Sequence, residues 1–155
     1  MDLQNIKELL DSFDPAALLP EMGSVLEFIS KAMGILVLVG PLALLVLGLA
    51  YLFIAPKEAN HSFGYRCFFG MGSVEAWRYT QRMAGLIWTV LGLVLTVAAF
   101  IARGGFPDMD VQQVISKALS CLLWQAGLTA VSCIAINTLA AVNFTADGDY
   151  RRRRS

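Results

Sequence analysis

Arg66 closes an aromatic run, Phe63-Gly64-Tyr65-Arg66, and Trp77 follows eleven residues later. A guanidinium set among rings offers five donors in a fixed fork, suited to a carboxylate or a phosphate. Locked between Tyr65 and Cys67, Arg66 is the expected buried or ligand-facing charge of the chain. Arg78 and Arg82 stand four apart, so on a helix they share a face and can meet lipid phosphates or snorkel to the interface. This is the chemistry of recognition. Bond-making chemistry has little to work with. His61 is the single histidine, and Cys67 six residues on does not complete a metal set, so neither a metal nor a cofactor is expected. Cys121 and Cys133 lie twelve residues apart on one helix, too far to pair, and read as free thiols packing as small apolar groups. No nucleophile–base pair falls in an apolar stretch, and no carboxylate does either, which argues against a proton-coupled exporter.

The elements that position these residues are set by solvent. Residues 32–55, 83–102 and 118–146 contain no Asp, Glu, Lys, Arg or His, giving uncharged runs of 24, 20 and 29 residues. A bilayer core about 30 Å thick takes roughly 20 helical residues to cross. Hydrophobic residues make up 57% of the chain, against roughly 45–50% in soluble domains. The expected fold is an all-α integral membrane bundle of three transmembrane helices, with spans at about 32–55, 83–102 and 118–142. An N-terminal amphipathic segment, 1–31, an ordered loop, 56–82, and a basic tail, 147–155, complete the plan.

Charge gives an orientation. With three spans, the first loop (Lys57, Arg66, Arg78, Arg82) and the tail (Arg151, Arg152, Arg153, Arg154) lie on one side. Lys7, Lys31, Arg103 and Lys117 lie on the other. The positive-inside rule places loop and tail in the cytoplasm and the N-terminus outside. The four terminal arginines are expected to meet anionic lipid headgroups, as are Arg78 and Arg82; nucleic acid is not an expected partner.

Within the spans, small and polar residues fall on single faces. Gly85, Thr89, Gly92, Thr96 and Ala99 recur at helical spacing, a seam that lets helices approach closely in lipid. Gly34, Pro41 and Gly48 share a face of the first span, and Gly40-Pro41 should loosen or kink it. Cys121, Gln125, Thr129 and Ser132 line one side of the third span. An amide facing hydrocarbon is costly, so this side should turn toward the bundle or a second copy. Asn137 points elsewhere, nearer the interface.

The first segment repeats Leu3, Ile6, Leu9, Leu10 and Phe13 at helical spacing and carries six acids against Lys7 and Lys31. Asp14-Pro15 suggests a helix start, and Ser24 with Glu27 a capping box just before the first span. Ser73 reads as the N-cap of a helix running into the second span, with Glu75 in its first turn. Asp108 and Asp110 are expected to cap the third. The rings of Phe63, Tyr65, Phe68, Phe69 and Trp77 mark the loop as folded rather than a linker, settled against the headgroup region.

Pro56, Asn60, Phe63-Gly64-Tyr65-Arg66, Ser73, Glu75-Ala76-Trp77, Arg82 and Ala84-Gly85 together resemble the signature of the SdpI family of small bacterial membrane proteins. The close match covers about 30 residues, and the three-span plan of 32–146 agrees generally. Cys67 stands where that family usually has threonine, and Gln81 where asparagine is common. The resemblance implies a non-enzymatic protein giving immunity to, or sensing, a membrane-active peptide toxin, and signalling to a cytoplasmic regulator. It also implies that Asn60, Phe63, Gly64, Tyr65, Arg66 and Trp77 carry the family's shared role, either in binding a ligand or partner or in the structure of the loop. From the spans alone, a structural or accessory subunit of a larger membrane complex or a homo-oligomer is the alternative, and a small permease a third.

Overall fold

A computed structural model describes residues 19–56, 58–59 and 63–151, with side chains inside the first helix from residue 23 onward. Three long helices make up the fold: α1 (Leu19–Phe53), α2 (Val74–Gly104) and α3 (Val111–Asn143). A 3-10 turn, Phe69–Met71, lies in the first loop. Each helix is long and apolar enough to cross a membrane. Among the described residues there is no strand, only an isolated antiparallel bridge between Phe144 and Tyr150.

α1 starts earlier than the apolar run. The chain is already helical at Leu19, the first described residue, and the helix continues from there into the span. Ser24 therefore lies inside a helix rather than at its start, and Glu27 takes the lysine one turn on, Lys31, as its partner at 2.7 Å. Residues 19–31 belong to the first spanning helix, not to a separate surface helix; residues 1–18 lie outside the described part. At roughly 1.5 Å per residue, 35 residues reach about 52 Å, well past a hydrocarbon core.

α1 and α2 meet along the small residues. A Cβ on Gly48 would lie 2.4 Å from the Thr89 backbone nitrogen, and one on Gly92 2.5 Å from that of Leu45. A Cβ on Gly85 would lie 2.7 Å from the Leu52 side chain and 3.0 Å from its backbone nitrogen. These hydrogens in place of side chains bring the backbones into contact, so the seam read from α2 is packed against α1. Thr96 turns its hydroxyl to its own helix, donating to Gly92 O at 2.7 Å. Gly34, Pro41 and Gly48 are all buried, and the helix runs through Pro41 without a break.

Two apolar clusters hold the ends. Val37, Leu38, Ala99, Phe106, Val114 and Ala118 close the end at the second loop. Leu44, Ala84, Trp88, Leu95 and Ile136 close the other. Outward faces carry Val39, Val46, Val90, Val94, Leu123 and Val131, the expected surface for lipid. Asp110 occupies the N-cap position of α3, yet its carboxylate makes no capping bond; the Asp110 carbonyl takes Val114 N–H instead.

The polar side of α3 faces inward. Gln125 Nε2 donates to Val37 O at 3.0 Å, Thr129 Oγ1 donates to Gln125 O, and Ser132 Oγ accepts from Trp88 Nε1 at 3.0 Å. Interhelical hydrogen bonding accounts for the Gln125 and Ser132 positions of the stripe.

Candidate functional site

The first loop is held shut by its own motif. Ser73 takes extended backbone and its Oγ accepts from Ala76 N–H at 3.1 Å, so the expected N-cap of α2 is formed. That start places Trp77 and Gln81 one turn apart on the buried side of α2. Trp77 is fully buried, and its indole N–H donates to Pro56 O at 2.8 Å, tying the end of α1 to the start of α2. Gly64 lies on the indole with φ +130°; a Cβ there would come within 2.6 Å of the ring. Both the positive φ and the close approach require glycine.

Gln81, one turn beyond Trp77, fixes the next residue. Its Oε1 accepts from Tyr65 N–H at 2.8 Å while its Nε2 donates to Tyr65 O at 2.7 Å. One side-chain amide thus satisfies both backbone groups of Tyr65, as a neighbouring strand would. The sequence shows Gln81 only as a departure from a family pattern. Its partner is sixteen residues away and local spacing carries no sign of it.

So clamped, Tyr65 reaches across the bundle. Its hydroxyl lies 3.2 Å from both Cys133 O and Asn137 Oδ1 on α3, its one proton shared between two acceptors. Burial, ahead of the influence of nearby Cys133, pushes the phenol up to about 12, so it remains a neutral donor. The ring stands edge-on to Trp88, which also meets Tyr51, and Tyr51 meets Phe63. This aromatic cluster joins the loop to all three helices.

The tail is part of the same structure. Phe144, only 2% exposed, packs between Tyr79 and Tyr150. A turn follows, with Gly148 N–H donating to Thr145 O and Thr145 N–H to Asp149 O. Gly148, at φ +82°, presses its backbone onto Gly72, and Ser73 Oγ donates to Gly148 O at 2.8 Å. Arg151 Nε donates to Phe144 O at 3.1 Å. Residues 147–151 of the tail are thus folded onto the loop, anchored by the apolar contact of Phe144 and Tyr150.

The residues singled out from the sequence divide into two groups. Gly64, Tyr65 and Trp77 form the internal frame, and Phe63 meets Tyr51 edge-on. Of the two expectations for Arg66, buried or ligand-facing, the first does not hold: the frame is closed by neutral groups, and the side chain is exposed. It borders a groove of about 380 Å³ with Phe68, Phe69, Asn137 and Thr138. Phe68 is 75% exposed there, and sequence reading assigned it only to the interface. Asn60 and Arg152, Arg153 and Arg154 lie outside the described residues. Arg78 and Arg82 are exposed beside the end of α1. Among the described residues, no group of His, Cys, Asp and Glu could hold a metal ion.

Three apolar helices, tied together at one end by an aromatic loop and a folded tail, define a multi-pass membrane protein. The family model of the SdpI/YfhL protein family matches residues 57–141, from the loop through most of α3, and the chain belongs to that family. No curated protein and no solved structure matches it.

Proposed function

We propose that this chain is a non-enzymatic SdpI-like protein that gives immunity to, or senses, a membrane-active peptide, and relays its engagement to a cytoplasmic regulator. The observation that carries the reading is the exposed Arg66 beside Phe68, over a groove shared with α3. A cation, exposed rings and the Asn137 amide offer complementary contacts to the carboxylates, apolar side chains and backbone of an incoming peptide. Family membership supports the general role. Loop and tail face the cytoplasm of a bacterial inner membrane in this proposal, on the balance of Lys and Arg.

The test is a challenge of an expressing strain with envelope-targeting peptides, comparing wild type with Arg66→Ala. Loss of protection with an unchanged amount of membrane-inserted protein supports the proposal; full protection by the variant refutes it. Trp77→Ala is less informative, since Trp77 is buried and its loss disturbs the frame. Labelling of Cys67 by an impermeant reagent from outside intact cells is expected to fail if the loop is cytoplasmic.

A second reading, an accessory subunit, draws on α3. Its outward face exposes Leu123, Trp124 and Val131, and a Cβ on Gly127 would meet nothing within 4 Å. Co-purification of a stoichiometric partner, undisturbed by Arg66→Ala, favours that reading.

A further inference from the structure

The cleft on the other side of the loop has a different chemistry. Arg78 and Arg82, one helical turn apart, form one wall. Tyr51, Leu52 and Ala55 at the end of α1 form the other, and the space is about 360 Å³. Among the described residues, those that line it include no carboxylate. Gln81 closes the floor, but both ends of its amide are taken by Tyr65, so it contributes shape and no recognition.

The position relative to the membrane identifies the occupant. Phe53 and Ile54, beside the cleft, are 80% and 72% exposed, and Leu86 lies one turn below Arg82 at 49%. Apolar side chains so exposed belong in hydrocarbon, whereas the two guanidinium groups belong at headgroup depth. A ligand filling this cleft must place an anionic group on the arginines and an apolar chain along Leu52 and Leu86. A free anion satisfies only the first requirement.

We infer that the Arg78–Arg82 cleft is a binding site for the phosphodiester headgroup of an anionic phospholipid, its acyl chains descending along Leu52 and Leu86. The two guanidinium groups donate to the phosphate oxygens, contacts that planar forks make more specifically than ammonium groups. Tyr51 supplies an aromatic wall at the same depth. Occupied, the site braces the junction of α1 and α2 that the Trp77–Pro56 bond closes from inside.

Native mass spectrometry of the purified full chain, titrated in detergent with phosphatidylglycerol or phosphatidylcholine, reads the binding directly. Phosphatidylglycerol is expected to bind wild type in preference to phosphatidylcholine. The double variant Arg78→Gln/Arg82→Gln should bind it about thirtyfold more weakly, the loss of two basic contacts at a membrane surface. Arg78→Lys/Arg82→Lys keeps the charge and should fall between them. Arg103→Gln, at the opposite end of the bundle, should bind as wild type does. Inorganic phosphate at millimolar concentration should not displace the lipid. Equal binding of both lipids, undiminished binding by the double Gln variant, an equal loss in Arg103→Gln, or displacement by inorganic phosphate would each overturn the assignment.

Discussion

Gln125 Nε2 donates at 3.0 Å to the carbonyl of Val37, the acceptor that Pro41 leaves without a helical partner. In an α-helix the N–H of residue 41 would bond that carbonyl, and proline has none. In water such a group is solvated; in hydrocarbon it must find a protein donor. Here the donor comes from another helix, 88 positions along the chain. Gly40 beside it leaves space: a Cβ there would lie 3.3 Å from Gln125 Oε1.

This pairing predicts a specific non-additivity. Gln125→Leu leaves Val37 O unsatisfied and should lower stability by about 1–2 kcal/mol. In a Pro41→Ala background the restored backbone N–H bonds Val37 O, so the same Gln125→Leu change should cost much less. Thermal unfolding of the four proteins in one detergent measures the coupling. Equal costs in both backgrounds would mean that Gln125 does not serve the proline gap.

The α1–α2 seam predicts steep position dependence. Gly92→Ala pushes a methyl to 2.5 Å from the Leu45 backbone and should destabilise by about 1–3 kcal/mol, as overpacking does. Gly127→Ala on the open face of α3 meets nothing within 4 Å and should be neutral or slightly stabilising, since alanine favours helix. Thermal melts of the two variants check the contrast.

What the sequence discloses here follows from the range of each interaction. Spans are set by solvent, which acts on every residue, and so the uncharged runs sufficed to find them. The Ser73 cap and the Gly85–Thr89–Gly92 seam rest on local spacing, and both were legible. Gln81 on Tyr65, Gln125 on Val37 and Gly148 on Gly72 join residues at 16, 88 and 76 positions, where no periodicity announces a partner. The motif around Arg66 marks out the loop but carries no sign of which of its residues point outward. Tyr65 and Trp77 turned out to be frame, and Phe68 surface. Ser24 and Glu27 mimic a capping box, but the chain is already helical at Leu19, so the helix begins before the position they suggest.

The folded tail predicts that a single methyl can release the loop. Gly148→Ala adds a Cβ within 2.4 Å of Gly72 C, at a φ of +82° that L side chains rarely adopt. The Ser73–Gly148 bond should break while the Ser73–Ala76 cap survives, leaving α2 intact and the Phe69–Met71 turn less protected. Cys67, which accepts from Gly70 N–H at 3.3 Å in that turn, is the reporter. Its labelling by maleimide, located by peptide mass, should quicken several-fold in Gly148→Ala. An unchanged rate would show that the tail does not hold the loop.

Tyr65 gives the loop an alkaline limit. Its folded phenol titrates near 12, above the value near 10 of an unfolded tyrosine, because burial disfavours the phenolate. Between these values the folded protein holds more protons than the unfolded chain, so stability must fall as pH rises through that window. Below pH 10 both states are protonated and the group contributes no slope. Above 12 both are ionised and the loss is complete. A phenolate also cannot donate to Cys133 O or Asn137 Oδ1, so the loop-to-α3 link fails in the same interval. Tyr65→Phe should therefore be less stable at neutral pH, by about 0.5–1.5 kcal/mol for the lost hydrogen bond, and should lose part of the alkaline slope. Unfolding measured from pH 8 to 12 for both proteins tests this, and parallel curves would assign the alkaline loss to other groups.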